Sequence, residues 1–358
     1  MPRCSIRRKT GFNPGPKPCS KRFPGFRGLW LGLLLSGQLL ATVHAAAPEA
    51  PIDKLGWADL TEAAAQLDRL HALVVAVDGE IIYGRAFRGP SLRQPVNIKS
   101  LSKTVLSAVV GAAIDRNVLE STDQPITDIL EAPAGASPRL REVTIGNLLS
   151  LQAGLERTSG PNYGPSVNSD NWVDYALSRP FKAEPGGRML YSTGSTHLLS
   201  AALTKASGRS TLELTRDWLG QPLDIRIPSW PQDPQGIHFG GNDMRLSPLA
   251  LVQIGELYRN GGQMDGVQVI PKDWVRQSWQ PRGQSRYTSD GYGYGWFITR
   301  LAGHRTYYGR GFGGQMLYVI PDIGVTAVIT ADPTPPSRPY FMRKLDRLLV
   351  DFVIPALE

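Results

Sequence analysis

Ser100-Leu101-Ser102-Lys103-Thr104-Val105-Leu106-Ser107-Ala108-Val109-Val110-Gly111-Ala112-Ala113-Ile114 is the stretch that decides how this chain folds. Val105, Leu106, Val109, Val110, Ala113 and Ile114 recur with helical period and predict a helix too apolar to lie on a surface. Ser100 and Lys103 stand nearly one turn apart at its start, so their side chains share a face. A helix N-terminus adds partial positive charge where an oxyanion would form. A lysine kept dry has a lowered pKa and can accept the proton of a serine hydroxyl. By itself the spacing is weak evidence. Ten lysines give roughly 0.7 chance matches to Ser-x-x-Lys. Ser100 as a helix cap with a solvated Lys103 is the plain alternative.

The flanking segments supply the context. Before the helix, Leu73–Val77 and Ile81–Tyr83 enclose Asp78-Gly79, a strong signal for a β-hairpin. Leu55–Leu70 has helical apolar spacing. From Pro125 to Gly262 the pattern changes to helices broken by Pro and Gly, as at Ile145–Leu151, Trp172–Ser178, Thr196–Ser207 and Pro248–Asn260. Strands return at Tyr294–Arg300, Gln315–Ile320 and Val325–Thr330, and Pro321-Asp322-Ile323-Gly324 makes the last two an antiparallel pair. Phe341, Leu345, Leu348, Leu349 and Phe352 share one face of a final helix. The expected fold class is therefore α/β (α+β), an antiparallel sheet flanked by helices with an inserted, mainly helical subdomain. The expected division is 46–70 for linker and first helix, 71–124 for the first part of the α/β domain, 125–262 for the helical insertion and 263–358 for the second part.

Charge and cysteine usage narrow the function. The chain has a formal net charge of +8, but Arg3, Arg7, Arg8, Lys9, Lys17, Lys21, Arg22 and Arg27 account for all of it. The remaining body is neutral, and no nucleic-acid partner is implied. The basic head precedes an apolar run, Leu29–Leu40, and then Ala45-Ala46-Ala47, so residues 1–45 read as a secretory signal peptide. An uncleaved anchor is the alternative. A secreted or periplasmic location follows, with no membrane partner beyond such an anchor. Both cysteines, Cys4 and Cys19, fall within that segment, which leaves a mature chain without disulfides or thiol chemistry. The histidines His71, His197, His238 and His304 lack ligand spacing, so no metal and no cofactor are expected. His197 reads as a packed helix residue. Trp57, Trp172, Trp230, Trp274, Trp279 and Trp296 read as core or pocket-rim aromatics.

Eighty-eight residues after Lys103 comes Tyr191-Ser192-Thr193-Gly194, within Pro185-Gly186-Gly187-Arg188-Met189-Leu190-Tyr191. Together with Ser100-Leu101-Ser102-Lys103, Thr144–Ser150 and Ala153-Gly154-Leu155, this order resembles the serine β-lactamase/penicillin-binding protein family over Leu73 to Thr330. The resemblance is to its class C-like branch of esterases and 6-aminohexanoate-dimer hydrolases. It implies that Ser100 is a nucleophile and that Lys103 and Tyr191 move protons. Two departures bear on substrate. Thr193 stands where many relatives have an Asn that contacts the acyl-side amide. Gly309-Arg310-Gly311-Phe312-Gly313-Gly314-Gln315 stands where relatives carry a Lys-Thr-Gly or His-Thr-Gly strand. Its glycines would let backbone approach substrate, and Gly311, Gly313 and Gly314 are candidates for the oxyanion hole beside Ser100. Arg310 is the one available replacement for the missing cation. A glycine-rich bend between strands is the structural alternative.

The expectation is an exported serine hydrolase that cleaves a small-molecule ester or amide through an acyl-enzyme on Ser100. In this scheme Tyr191 is hydrogen-bonded to Lys103. A class C-like β-lactamase or D-Ala-D-Ala peptidase is the alternative. A non-catalytic scaffold of the same fold is more remote, because it would not need Ser100, Lys103 and Tyr191 together.

Overall fold

A computed structural model describes residues 51–336 and 338–358. The signal peptide expected over 1–45 lies outside the described residues. A nine-stranded antiparallel sheet organises them. Its strands are β1 Ile52–Asp53, β2 Leu70–Val77, β3 Glu80–Ala86, β4 Gly283–Gln284, β5 Gly291–Tyr292, β6 Phe297–Leu301, β7 His304–Gly311, β8 Gln315–Ile320 and β9 Val325–Ala331. They lie in the order β1-β3-β2-β9-β8-β7-β6-β5-β4. The β2–β3 hairpin closes on Asp78 and Gly79, with φ of 48° and 87°. Two successive positive φ values suit a turn whose twist matches its strands.

Both faces of the sheet are covered, and side-chain alternation sorts the two cores. On one face, Ala72, Val74 and Ala76 of β2, Leu317 and Val319 of β8 and Val328 of β9 join a cluster that includes Val105, Leu106, Val109 and Val110. Those residues belong to helix α2 Ser102–Asp115, buried on every side through Ala113. On the opposite face, Leu73 and Val75 of β2, Tyr318 and Ile320 of β8 and Val325, Ala327 and Ile329 of β9 meet Leu60 and Leu345. Leu60 lies on helix α1 Ala58–Ala65 and Leu345 on the C-terminal helix, Pro339–Leu348. Between the two blocks of strands run the helices, including Thr193–Ser207 and Pro248–Arg259. We number these α3 and α4, and the C-terminal helix α5.

Three local expectations shift. The strand expected at Tyr294 begins at Phe297, because α2 claims the preceding backbone. Ser107 Oγ donates to the Tyr294 carbonyl at 2.7 Å and Thr104 Oγ1 to that of Gly295 at 2.7 Å. The first helix ends at Ala65, and Leu67 and Leu70 are buried in the approach to β2 and in β2 itself. Ser100 precedes the α-helix proper and sits in a 3-10 turn, Lys99–Leu101.

Gly309 is what brings β7 up to α2. A Cβ there would lie 2.4 Å from both Leu101 Cδ1 and Thr104 Oγ1. Gly309→Ala should therefore lower unfolding free energy by about 1–3 kcal/mol through overpacking. Arg310→Ala, next door on the other face of the strand, should change it by no more than about 0.5 kcal/mol. Urea denaturation of both variants checks the contrast.

Candidate active site

Ser100 owes its position to a backbone that local preference would not choose. Lys99 has φ 51°, in the left-handed region that is costly for a residue with a Cβ. Several bonds hold it there. Lys99 N donates to Asn97 Oδ1 at 2.8 Å, and Lys99 Nζ pairs with Asp243 Oδ1 at 3.0 Å. Ser102 Oγ donates to the Lys99 carbonyl at 2.5 Å and accepts from Met244 N at 3.1 Å. A short strand pair, Val96–Asn97 with Arg245–Leu246, ties both segments together. Backbone strain that the surroundings over-determine in this way is commonly found at functional sites.

Lys103 follows on the same face. Its side chain is buried, and Nζ lies 3.3 Å from Ser100 Oγ and 2.5 Å from the Gly241 carbonyl oxygen. Burial pushes its pKa down to about 7, with the carboxylate of Asp243 pulling the other way. Gly241 can supply that carbonyl because it lies hard against α3. A Cβ on it would be 2.5 Å from the Thr193 carbonyl oxygen.

Tyr191 completes the cluster from the segment entering α3. Its ring centre is 5.1 Å from Lys103 Nζ, and the ring stacks with Phe297 at 6.4 Å. Burial raises the phenol pKa, while a hydrogen bond with Ser100 and the nearby positive charge of Arg310 lower it. The structure thus places the Tyr191 ring over the Lys103 ammonium and its phenol beside Ser100.

Ser100 opens on two adjoining cavities. One, of about 540 Å³, is lined by Lys99, Arg157, Ser159, Tyr163, Thr193 and Asn242 among others. The second, of about 290 Å³, adds Phe297, Arg310 and Gly311. Tyr191, Tyr287 and Phe312 line both. Thr193 is thus on the wall of the site, with Oγ1 2.9 Å from Ser159 Oγ. Its N–H and that of Gly194 donate to Ser159 Oγ and Thr158 Oγ1 at 2.9 and 2.7 Å, so α3 is capped from another segment.

The glycine-rich segment divides. Strand β6 stops opposite Tyr308, so Gly309, Arg310 and Gly311 pair with β8 alone and leave one backbone edge open. Gly311 sits against the nucleophile turn, where a Cβ would be 2.2 Å from the Ile98 carbonyl oxygen. Gly313 and Gly314 close the hairpin at φ 86° and 104° and pack on Asp332–Pro333 and on Phe341 and Leu345. Neither lines the Ser100 cavities. Arg310 lies beside Phe297, its guanidinium carbon 5.7 Å from the ring centre.

His197 is buried, with Nε2 2.9 Å from Asp233 Oδ2, and it packs on Trp172 and Phe239 outside both cavities. Among the described residues, no group of three His, Cys, Asp or Glu could hold a metal. Gly240–Asp243 carries the Lys103 acceptor, the Lys99 partner and the cavity residue Asn242, and sequence reasoning passed it over. Its one signal, Gly-Gly-Asn-Asp, marks a turn and nothing more.

A model of the β-lactamase family matches residues 68–351. Among curated relatives, a Dichelobacter nodosus protein assigned to fimbrial assembly (FimD, serogroup D) is 34% identical over 125 residues, covering 33% of this chain and 31% of its own. The D-alanyl-D-alanine-carboxypeptidase/endopeptidase AmpH of Escherichia coli K12 is 25% identical over 189 residues, covering 49% and 48%. The chain therefore spans between about a third and a half of these relatives' lengths. Among solved structures, a penicillin-binding protein homolog from Caulobacter crescentus superposes with a TM-score of 0.66 at 17% identity, covering 83% of this chain and 97% of that one. That likeness is one of fold, and it agrees with the sheet and helices described above. With the family match spanning most of its length, the chain belongs to the β-lactamase family of hydrolases.

Proposed function

We propose that the protein cleaves an ester or small amide through an acyl-enzyme on Ser100. The observation that carries this reading is the buried Lys103 ammonium, 3.3 Å from Ser100 Oγ and with a pKa of about 7. Near neutral pH a large fraction of Lys103 is the free amine, a base of matched strength. Ser100 Oγ attacks the carbonyl carbon and its proton passes to Lys103. Tyr191 gives its proton to the leaving group and is recharged from Lys103. Water then attacks the acyl-enzyme by the same route in reverse, releasing acid and Ser100. The Ser100 N–H and a backbone N–H on the open end of β7 are the oxyanion donors in this scheme.

The substrate reading rests on Thr193 and on Arg310, the single cation where relatives carry a Lys-Thr-Gly or His-Thr-Gly strand. Losing a charge-assisted hydrogen bond of about 1.5–3 kcal/mol lowers efficiency on an anionic substrate by roughly 10- to 150-fold. A neutral short-chain ester carries no such cost. We also propose export, on the charge pattern of residues 1–45, so that the mature chain begins near Ala46.

Ser100→Ala should reduce turnover by several orders of magnitude with the fold intact, and mass spectrometry should find a trapped acyl group on the Ser100 peptide. An active Ser100→Ala variant, or label on another serine, would overturn the mechanism. For a short p-nitrophenyl ester kcat/KM should exceed that for nitrocefin, and Arg310→Ala should widen the gap. If nitrocefin is the better substrate, Arg310 is the working cation and the β-lactamase or peptidase reading replaces this one.

The pH profile follows from the sign of the Lys103 shift. Below a pKa of about 7 the ammonium has no lone pair to accept a proton, so kcat/KM should rise with pH through that value. Because Asp243 holds the pKa up, Asp243→Asn should move the rising limb to lower pH. A limb that stays in place in this variant would contradict the assignment of Lys103 as base.

A further inference from the structure

A third cavity of about 240 Å³, which Ser100 does not line, shares Tyr191, Tyr287 and Arg157 with the Ser100 cavities. Arg157, Lys182, Arg188 and Arg286 line it, against one carboxylate, Glu156. That carboxylate is already taken, lying 3.7 Å from both Lys182 Nζ and Arg179 Nη1. The three arginines make other contacts. Arg157 donates to the Tyr287 hydroxyl, Arg188 to the Lys182 carbonyl at 2.9 Å, and Arg286 lies 5.9 Å from the Tyr287 ring centre. None has a carboxylate partner among the described residues. In a body whose acids and bases balance overall, this is a local surplus of positive charge in a concave site.

We propose that this cavity holds an oxyanion, a carboxylate or a phosphate, carried on the leaving group of the substrate. The side follows from Tyr191, and this step rests on the reading above. The phenol that protonates the departing atom lines both the Ser100 cavities and the basic cavity, so a leaving group that extends past it reaches the basic cavity. Guanidinium groups recognise carboxylates and phosphates alike through paired N–H donors. The cations are partly solvated, so each contributes a modest, salt-sensitive increment. The anion sits away from the scissile bond, which sets it apart from an anion read by Arg310.

Two readouts keep failure of this site distinct from failure of the Ser100 mechanism. The first is binding, which needs no turnover. At low salt, 3-hydroxy-4-nitrobenzoate or 4-nitrophenyl phosphate should bind the wild-type protein more tightly than methyl 3-hydroxy-4-nitrobenzoate. Arg188→Ala and Arg286→Ala should each weaken the anion that binds by roughly two- to fivefold, and Arg188→Glu by more. Which of the two anions responds identifies the group. The second is kinetic, the ratio of kcat/KM for 3-acetoxy-4-nitrobenzoate to that for its methyl ester. The ratio should fall by a similar factor in the same variants, with turnover of the methyl ester unchanged. Equal affinity for anions and neutral ester, unmoved by the Arg188 and Arg286 variants, overturns the proposal even if ester turnover is normal. Anion binding that responds to the variants while neither ester turns over leaves the cavity standing and sinks the acyl-enzyme reading instead.

Discussion

A primary amine held dry beside a serine hydroxyl is the constraint on which the site depends. An ammonium taken out of water loses its hydration, and the chain answers with one carbonyl, one hydroxyl and a neighbouring carboxylate. That arrangement leaves Lys103 near the point where it can exist in either protonation state. Much of the surrounding structure serves to keep it so. Helix α2 is buried on all sides over its first three turns, Gly241 abuts α3 so that its carbonyl reaches Nζ, and Tyr191 covers the amine with its ring.

The second requirement is that the hydroxyl be exposed where the amine is not. The left-handed Lys99 precedes Ser100, which lines the cavities, while Lys103, one turn later on the same face, is buried behind it. The strain is held by Asn97 and Ser102 beside the turn and by Asp243 from within the long helical stretch. Strand β7 then closes on this turn through Gly309 and Gly311, and leaves its own backbone edge open toward the same cavities.

Much of the architecture was legible from sequence because it rests on local periodicity and turn chemistry. Asp78-Gly79 marked the first hairpin, Pro321–Gly324 the last, and the apolar pattern after Ser100 a buried helix. That the early and late strands share one antiparallel sheet followed from where the strand-like runs lay in the chain, but the pairing of β9 with β2 is seen only in the structure. The site was legible only in the residues whose types are chemically loaded, Ser100, Lys103, Tyr191 and Arg310. Its distant supports were not, because they act across long sequence gaps, 34 residues for Thr158 on Ser192 and 144 for Lys99 on Asp243. Nothing local in Gly240–Asp243 or Thr158-Ser159 tells a turn that braces an active site from one that merely reverses the chain. The glycines of 309–314 show the same limit from the other side. Their type announces close approach, but whether to substrate, to α2 or to the C-terminal helix depends on partners far away in sequence.

The state of Lys103 can be measured without reference to any substrate. Titration of the ε-carbon chemical shift of Lys103 by NMR in isotopically labelled protein, assigned by comparison with Lys103→Arg, reports its protonation directly. The account requires a midpoint near 7. A midpoint near the ordinary lysine value of about 10.4 would mean a permanently charged side chain, unable to take the Ser100 proton, and would contradict the mechanism at its root.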